Sequence, residues 1–450
     1  MESNGTRTLR RAAAAALLFA VLVAMLTPAS TQAAAAVDGH ADPIAPVALA
    51  LAVILMSAKL GGDLAVRLGQ PAVLGELVIG VVLGNLGLLG FHGFEAWSAD
   101  GSTIDMLARI GVLILLFEVG LESTVAQMMK VGVSSLLVAV VGVAAPFALG
   151  WAVGAWLLPQ HTVYVHAFLG ATLTATSVGI TARVLKDLNR SKSPEARVIL
   201  GAAVIDDVLG LVILAAVAGV IAAADAGTTI SQGAIAWILG KAALFLLGAL
   251  TLGLFLSKRL FRFASKLRSL GVLLATGLSF CFVLAYLSSE IGLAPIVGAF
   301  AAGLILEDLH YRDFVDRGEH SLEELTHTIS QFLVPIFFVL MGMRTDLSSF
   351  AEPGVLALAA VLTVAAIAGK QVCGLGVVGR GFDRLAIGIG MVPRGEVGLI
   401  FADIGSKLAV QGEKIIDQAT FSAVVIMVIV TTMVTPPALK WSLGRKSSPA

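Results

Sequence analysis

Two adjacent aspartates interrupt a long apolar run in the stretch Gly201-Ala-Ala-Val-Ile-Asp206-Asp207-Val-Leu-Gly210. The run extends over 196–223, and a helix of that length crosses the about 30 Å of hydrocarbon in a bilayer. The whole chain is similarly apolar: of its 450 residues, 58% are hydrophobic and 13% are charged, against about 45–50% and about 25% in soluble domains. Because so few charges cannot cover a soluble domain of this size, the composition excludes an ordinary soluble enzyme.

Apolar windows of sufficient length recur along the rest of the chain, and they predict an all-α integral membrane protein with about thirteen transmembrane helices. The predicted spans are 44–60, 71–90, 104–121, 131–158, 163–185, 196–223, 234–256, 269–289, 292–306, 328–343, 354–378, 384–405 and 418–440. Ahead of them, residues 1–36 contain arginines, an apolar run and small residues in the order typical of a cleavable signal peptide. The alternative for this segment is an additional anchor helix. In both cases the following chain starts outside.

Lysine and arginine are distributed unequally between the predicted loops on the two sides of the membrane. With the N-terminus outside, nineteen fall on the predicted cytoplasmic side, and only Arg344, Lys407 and Lys414 fall outside. Because positive charge collects in cytoplasmic loops, we expect an odd number of spans and a cytoplasmic tail over 441–450. The formal net charge of zero indicates no attraction to nucleic acid.

A glycine pattern recurs seven predicted spans apart. The same spacing of two glycines and a leucine is found in the second and the ninth span, at Gly75, Gly80, Leu83 and at Gly298, Gly303, Leu306. A looser match relates the end of the third span, at Gly120, to the end of the tenth, at Gly342. Because seven is odd, the second copy enters the membrane from the opposite side. This predicts an inverted-topology repeat of the first six and the last six spans, as in secondary transporters whose sites lie near the midplane.

The aspartate pair lies near the middle of its span, where a charged side chain is costly and by default marks a pathway or a site. Adjacent residues on a helix point about 100° apart, so Asp206 and Asp207 must face different partners. Removal from water disfavours the charged form of a carboxyl group, which lets a proton and a cation compete for one carboxylate. The alternative is a helix break that places both aspartates in a loop, and the apolar flanks argue against it.

A lysine lies within the predicted span 354–378, in the stretch Ala365-Ala-Ile-Ala-Gly-Lys370-Gln371. If it is buried opposite the sixth span, it compensates one of the two aspartates, and a buried lysine can also release a proton during a transport cycle. The alternative is that Lys370 extends toward the cytoplasmic side and keeps its ammonium group in water.

The predicted span 384–405 carries a helix-breaking centre, Pro393-Arg394-Gly395-Glu396. Proline removes a backbone donor and clashes with the preceding turn, and glycine costs about 1 kcal/mol more than alanine in a helix. We therefore expect the helix to be discontinuous here. Arg394 and Glu396 can neutralise the freed helix ends, since a negative charge is favourable near an N-terminal end and a positive charge near a C-terminal end.

The predicted span 163–185 has a polar centre formed by Thr174, Thr176 and Ser177. Hydroxyls inside membrane helices often donate only to the preceding turn, and that alternative stays open. Since this span and 384–405 hold equivalent places in the two copies, we expect two discontinuous helices that cross near the midplane beside the aspartates. Their carbonyls and hydroxyls, together with the carboxylates, are hard oxygen ligands, which suit a small alkali cation.

Together these residues resemble the bacterial monovalent cation:proton antiporter-2 family, in particular its electrogenic sodium/proton members. The resemblance covers about 44–440 and rests on Asp206-Asp207, Lys370, the stretch 174–177, the motif 393–396 and the turn 120–122. It implies the sodium/proton antiporter fold and a homodimer in the inner or plasma membrane. In this fold 44–121 and 269–343 form a dimerisation domain, 131–223 and 354–440 form a mobile core that carries the ion, and 234–256 is the linker.

The resemblance also implies roles for individual residues. Asp207 is the main carrier of the cation and the proton, while Asp206 pairs with Lys370 in the cation-free state and contributes less to the sodium site. The residues implied to support the crossing are Thr174, Thr176, Ser177, Arg394 and Glu396. The first aspartate of the pair is typical of electrogenic members. Sodium and protons are then the substrates, and no cofactor is expected.

Several alternatives stay open. A potassium/proton antiporter of the same family is the first, although sodium is favoured because no nucleotide-binding domain of the kind that potassium-efflux relatives carry follows residue 440. An intramembrane aspartyl protease, which would be an enzyme, needs two aspartates that face each other from separate helices. A channel needs a continuous pore with a filter, and an organic-anion carrier is the remaining transport class.

Overall fold

The computed structural model describes residues 42, 44–90, 94–122, 132–188, 190, 193–227, 232–267, 269–306, 314, 320–379 and 381–445. The predicted signal peptide at 1–36 lies outside the described residues. Nearly all regular structure in the described residues is helical. The exception is a short hairpin, in which strand β1 (Ala409–Val410) pairs antiparallel with strand β2 (Glu413–Lys414).

Each predicted span contains at least one helix. The helices are α1 Ile44–Arg67, α2 Ala72–Gly84, α3 Glu95–Ser98, α4 Thr103–Glu122, α5 Val133–Leu157, α6 Val163–Thr174, α7 Val178–Asp187, α8 Pro194–Asp225, α9 Gln232–Ala264, α10 Val272–Glu290, α11 Pro295–Ile305, α12 Leu322–Met343, α13 Pro353–Val372, α14 Arg384–Gly390, α15 Gly395–Lys407 and α16 Gln418–Arg445. Seven of the described helices are long and apolar enough to cross a membrane alone, and there are eight such spans if the bent pair α14 and α15 is counted as one. The count of thirteen stays a prediction.

Large apolar side chains are exposed on several of these helices, as expected where lipid is the solvent. Trp156 on α5 is 71% exposed, and Leu244 and Leu252 on α9 are 69% and 68% exposed. In water such a surface would drive aggregation. The exposed apolar helices therefore agree with a multi-pass membrane protein.

The chain divides into two compact units. The first comprises the chain up to Gly111 together with Gln331–Pro353, and the second comprises Val112–Ser330 together with the chain from Gly354 onward. The dimerisation and core domains that the resemblance implies stay a prediction.

In the first unit, close helix crossings depend on glycines of the sequence repeat. A Cβ on Gly75 of α2 would overlap the carbonyl oxygen of Gly61 on α1. A Cβ on Gly342 of α12 would lie 2.8 Å from the carbonyl carbon of Gly80 on α2, which is closer than real Cβ atoms approach. Small residues of this kind let membrane helices pack through their backbones.

The second unit contains the matching crossings of the second copy. A Cβ on Gly298 of α11 would overlap the carbonyl oxygen of Leu284 on α10, and a Cβ on Gly303 would lie 2.8 Å from Cα of Gly120 on α4. Gly298 and Gly303 are the repeat counterparts of Gly75 and Gly80, and the positions of Gly120 and Gly342 correspond in the same way. The same pairs of positions therefore cross in both copies, as an inverted repeat requires.

The two discontinuous helices are confirmed. The backbone leaves the helical conformation at 175–177, between α6 and α7, and at 391–394, between α14 and α15. The axes of α14 and α15 differ in direction by 47°. Proline accounts for the second break, because Pro393 has no backbone donor, and Gly395 follows at a φ of +41° that favours glycine.

Candidate ion-binding site

The two helix breaks contact each other within the second unit. The backbone N–H of Ser177 donates to the carbonyl oxygen of Pro393 over 2.7 Å, and the Thr181 hydroxyl donates to the carbonyl oxygen of Gly390 over 2.6 Å. A third, longer hydrogen bond of 3.5 Å runs from the Thr176 hydroxyl to the carbonyl oxygen of Met391. The crossing expected from the sequence therefore forms, and one backbone hydrogen bond and two hydroxyl-to-carbonyl hydrogen bonds connect the two interrupted helices.

Arg394 lies at the centre of the crossing and is fully buried. Its guanidinium donates through Nη1 to the carbonyl oxygen of Ala175, the residue directly after α6, and through Nη2 to that of Ala366 on α13 over 3.1 Å. Its Nε has no hydrogen-bond partner in the described structure. The positive charge thus lies at the C-terminal end of a half-helix, where the helix dipole is negative.

Glu396 occupies the complementary position. It lies in the first turn of α15, and its Oε2 accepts a 2.8 Å hydrogen bond from the hydroxyl of Ser177, which directly precedes α7. A carboxylate in this position compensates the positive N-terminal ends of two half-helices. Arg394 and Glu396 are therefore placed at helix ends of the signs that the sequence predicted for them.

Asp206 and Lys370 form a buried ion pair between α8 and α13. The Nζ atom of Lys370 lies 2.8 Å and 3.1 Å from the two carboxylate oxygens of Asp206, and neither side chain has any solvent exposure. A Cβ on Gly142 of α5 would lie 3.6 Å from Nζ and 3.8 Å from Oδ1, so α5 packs directly over the pair. Lys370 is therefore directed into the protein, and the alternative in which it reaches the membrane surface does not hold.

Asp207 has a different environment from its neighbour. Its side chain is partly exposed, and within the described ranges no hydrogen bond or ion pair reaches its carboxylate. The charged side chains that interact electrostatically with the Asp207 carboxylate are Asp206, Glu396 and Lys370. As expected from the helical angle, the adjacent aspartates have different surroundings: Asp206 is paired with Lys370, whereas the partly exposed Asp207 has no such partner among the described residues.

The hydroxyls of the first break divide into two groups. Thr174 donates to the carbonyl oxygen of Ala171 over 2.7 Å, within its own helix, which is the alternative that the sequence left open. Thr176 and Ser177 instead bond across the crossing. Thr174 still lies near α8, since a Cβ on Gly210 would be 3.8 Å from its hydroxyl oxygen.

Sequence reasoning missed some residues of the site. The hydroxyl of Thr181 was not singled out, although it lies one helical turn after Ser177 on the same face. Gly142 and the carbonyl of Ala366 could not be recognised, because nothing in their local sequence indicates which side chain packs against them.

Comparison with known proteins gives consistent results. The profile of a family described as "Sodium/hydrogen exchanger, transmembrane" matches residues 48–443. The chain is 38% identical to the high-affinity Na(+)/H(+) antiporter NhaS3 of Synechocystis sp., over 92% of this chain and 95% of that protein. It is 36% identical to the Na(+)/H(+)-K(+) antiporter GerN of Bacillus cereus, over 88% of this chain and 96% of that protein.

A solved structure extends the likeness to the fold. The sodium proton antiporter MjNhaP1 from Methanocaldococcus jannaschii, in its structure at pH 8, aligns with a TM-score of 0.65 over 89% of this chain and 97% of that chain. The sequence identity is 16%, so this likeness shows the fold alone.

Proposed function

The chain belongs to the sodium/hydrogen exchanger family, and on that premise we propose that it exchanges sodium for protons across a membrane. The observation that carries this proposal is the pair of adjacent aspartates at the helix crossing, one bound to a buried lysine and the other open to exchange. The two similar proteins named above as Na(+)/H(+) and Na(+)/H(+)-K(+) antiporters support the same substrates.

Asp207 is the group at which the cation and the proton compete. Its carboxylate is partly accessible and unpaired among the described residues, so it can be neutralised by a proton or by an alkali cation, but not by both together. The hydroxyls of Thr174 and Thr176 and the carbonyls of the helix breaks are hard oxygen ligands of the kind that would complete a sodium shell. Exchange follows when Asp207 alternates between the two sides of the membrane with one of the two ions bound.

Asp206 and Lys370 control the charge of the site. With the pair closed, the charge of Asp206 is compensated and Asp207 carries the negative charge of the site. When a cation binds, Asp206 can turn toward it as a further ligand, and Lys370 is then free to release a proton. This second proton makes the exchange electrogenic, since more protons than cations then move in each cycle.

Arg394 and Glu396 keep the crossing in position while the site moves. Arg394 is buried and Glu396 is partly buried, and they lie at half-helix ends of opposite sign. Their electrostatic stabilisation is retained if the crossing moves as one body. We infer from this that the core carries the site across the membrane as one body. We also propose that the protein is a homodimer in the cell membrane. The N-terminus then lies outside and the C-terminus in the cytoplasm, as the loop charges predict.

The experiment that tests the function is a flux assay on the purified protein in vesicles that contain a pH-sensitive dye. With a preset pH gradient, addition of sodium is expected to drive proton movement, and lithium and potassium are added in separate runs. A diffusion potential of one sign is expected to increase the sodium-driven rate, and a potential of the opposite sign is expected to decrease it. If no cation changes the interior pH above the level of empty vesicles, the chain is not an antiporter of this class; if only potassium does, the second candidate from the comparison with GerN is correct.

A further inference from the structure

A cavity of about 760 Å³ lies at the beginning of α5 and α8, within the second unit. Gly132 at the N-cap of α5 and Pro194, the first residue of α8, both line it. The two helices pack side by side, since Val138 and Ala202 belong to one buried cluster, so they run in the same direction away from the cavity. Their dipoles therefore add, and each contributes about half a positive charge at this end. Both helices begin on the predicted cytoplasmic side.

The two helix beginnings differ in how they are capped. Ser193 caps α8, because its hydroxyl oxygen accepts from the backbone N–H of Ala196 over 3.1 Å. Gly132 has no side chain that could cap α5 in this way, and the first turn of α5 contains no acidic residue. The first N–H groups of a helix have no acceptor within the helix. Those of α5 are therefore available to an anion.

Two side chains add further donors to this cavity. Ser135, in the first turn of α5, lines it and is only 4% exposed, yet its hydroxyl has no hydrogen-bond partner among the described residues. A buried hydroxyl without a partner is costly, so this one indicates a ligand that would complete its bonding. Arg197, the fourth residue of α8, lines the same cavity, and its guanidinium forms no ion pair within the described ranges.

The acidic side chains next to the cavity have other partners. Glu195 accepts through Oε1 from the backbone N–H of Asp383 over 3.1 Å, and Asp383 caps α14 by accepting from the backbone N–H of Ala386 over 3.1 Å. Neither carboxylate lines the cavity. Among the described residues that do line it, Arg197 is the charged one, so the cavity has a net positive charge.

The inner part of the cavity is apolar. Its wall there is formed by Val198 and Val204 of α8 and by Phe382, which precedes α14. The residues from Pro194 to Val204 rise about 15 Å along the helix axis, so the cavity is much deeper than an inorganic anion requires. Its volume falls in the range of about 300–1,000 Å³ that is typical of sites for organic ligands. The matching ligand therefore combines an anionic group with an apolar or aromatic part.

We propose that this cavity binds an organic phosphate from the cytoplasmic side. The phosphate oxygens accept from the first N–H groups of α5, from the hydroxyl of Ser135 and from the guanidinium of Arg197, and the apolar part of the ligand packs on Phe382. A phosphate suits this set because its several terminal oxygens can accept from a helix beginning and from arginine at the same time. Nucleotides and phosphatidic acid both carry such a group, and the experiment separates these two sources. The proposal does not depend on the antiport function.

The test is the thermal unfolding of the purified full-length protein in detergent, with ligands added as sodium-free salts at matched ionic strength. The probes are ATP, with adenosine as its control, and dioctanoyl phosphatidic acid, with dioctanoyl phosphatidylcholine as its control. One of the two anionic probes is expected to raise the Tm by about 2 °C or more at saturation, because a ligand that binds only the folded state stabilises it. Its control is expected to raise the Tm far less. The readout does not involve transport, so its failure would leave the proposed antiport function untouched.

Two variants assign the response to this cavity, and a third is their control. Arg197→Gln removes the charge of the cavity and breaks no described contact. Gly132→Asp places a carboxylate at the N-cap of α5, where aspartate is favoured; a Cβ there meets no atom within 4 Å, and the φ of −68° suits any residue. Both variants are expected to fold and to lose the response, since the new carboxylate accepts from the N–H groups and repels the phosphate. Arg262→Gln removes an exposed arginine on the same predicted side that does not line the cavity, and it is expected to respond as the wild type does.

The outcomes separate the two sources of the phosphate and the failure of the proposal. A response to ATP but not to adenosine assigns the cavity to a nucleotide, and a response to phosphatidic acid but not to phosphatidylcholine assigns it to a lipid phosphate. Equal responses to each probe and its control would overturn the proposal, as would the absence of any response. A response that persists undiminished in both Arg197→Gln and Gly132→Asp would place the phosphate elsewhere and would also overturn it.

Discussion

Replacement of Asp207 by asparagine is expected to reduce sodium-driven proton flux to the level of empty vesicles. An amide has nearly the shape of a carboxyl group, but it neither binds a proton in the physiological range nor carries the charge that attracts sodium. Because Asp207 has no hydrogen bond or ion pair among the described residues, its replacement breaks no contact described in the structure. The flux assay with the interior dye measures the effect directly.

The matched control for this variant is Asp63→Asn. Asp63 is an exposed aspartate on α1 that pairs with Arg67 one turn later, at 2.6 Å, and it belongs to the other unit. Surface pairs of this kind contribute about 0–1 kcal/mol, so the control is expected to transport at the wild-type rate. Sodium-dependent flux that survives in Asp207→Asn, in protein with a wild-type unfolding temperature, would show that the carrier is elsewhere.

Replacement of Lys370 by alanine is expected to destabilise the folded protein more than any exposed substitution. The change leaves the Asp206 carboxylate buried without its cation and opens a cavity at the contact of α8, α13 and α5. Removal of one partner from a buried ion pair typically costs about 3–5 kcal/mol. Thermal unfolding of the purified variant in detergent measures this loss as a lower Tm.

The double variant Asp206→Asn/Lys370→Gln serves as the control for charge. It removes both charges and keeps most of the volume, so it is expected to recover much of the stability that Lys370→Ala loses. A Tm of Lys370→Ala equal to the wild-type value would mean that Asp206 is not a buried carboxylate that depends on Lys370. A double variant no more stable than Lys370→Ala would mean that the loss comes from packing and not from charge.

Much of the fold was predictable because lipid imposes simple rules on a sequence. The apolar windows placed a helix in each predicted span, and the helix-breaking Pro393 and the hydroxyls around Thr176 indicated the two interruptions. The spacing of Gly75 and Gly80 against Gly298 and Gly303 identified the repeat before any contact was known.

The partners of these residues were not predictable to the same extent, because they depend on which helices meet. The repeat did not reveal that Gly342 packs on Gly80, since the two lie on different helices of different copies. Arg394 was expected at a helix end, but its second acceptor, the carbonyl of Ala366, is contributed by α13 and has no sequence signal.

The most direct measurement on the aspartate site is the release of protons when sodium is added to the purified protein in weakly buffered detergent solution. If sodium and a proton compete for Asp207, the wild-type protein releases protons on addition of sodium chloride but not of choline chloride, and the amount falls as the pH is raised and the site empties of protons. Asp207→Asn is expected to release far fewer. Proton release of the same size in Asp207→Asn, or no release from wild-type protein that transports sodium in vesicles, would contradict a shared site at Asp207.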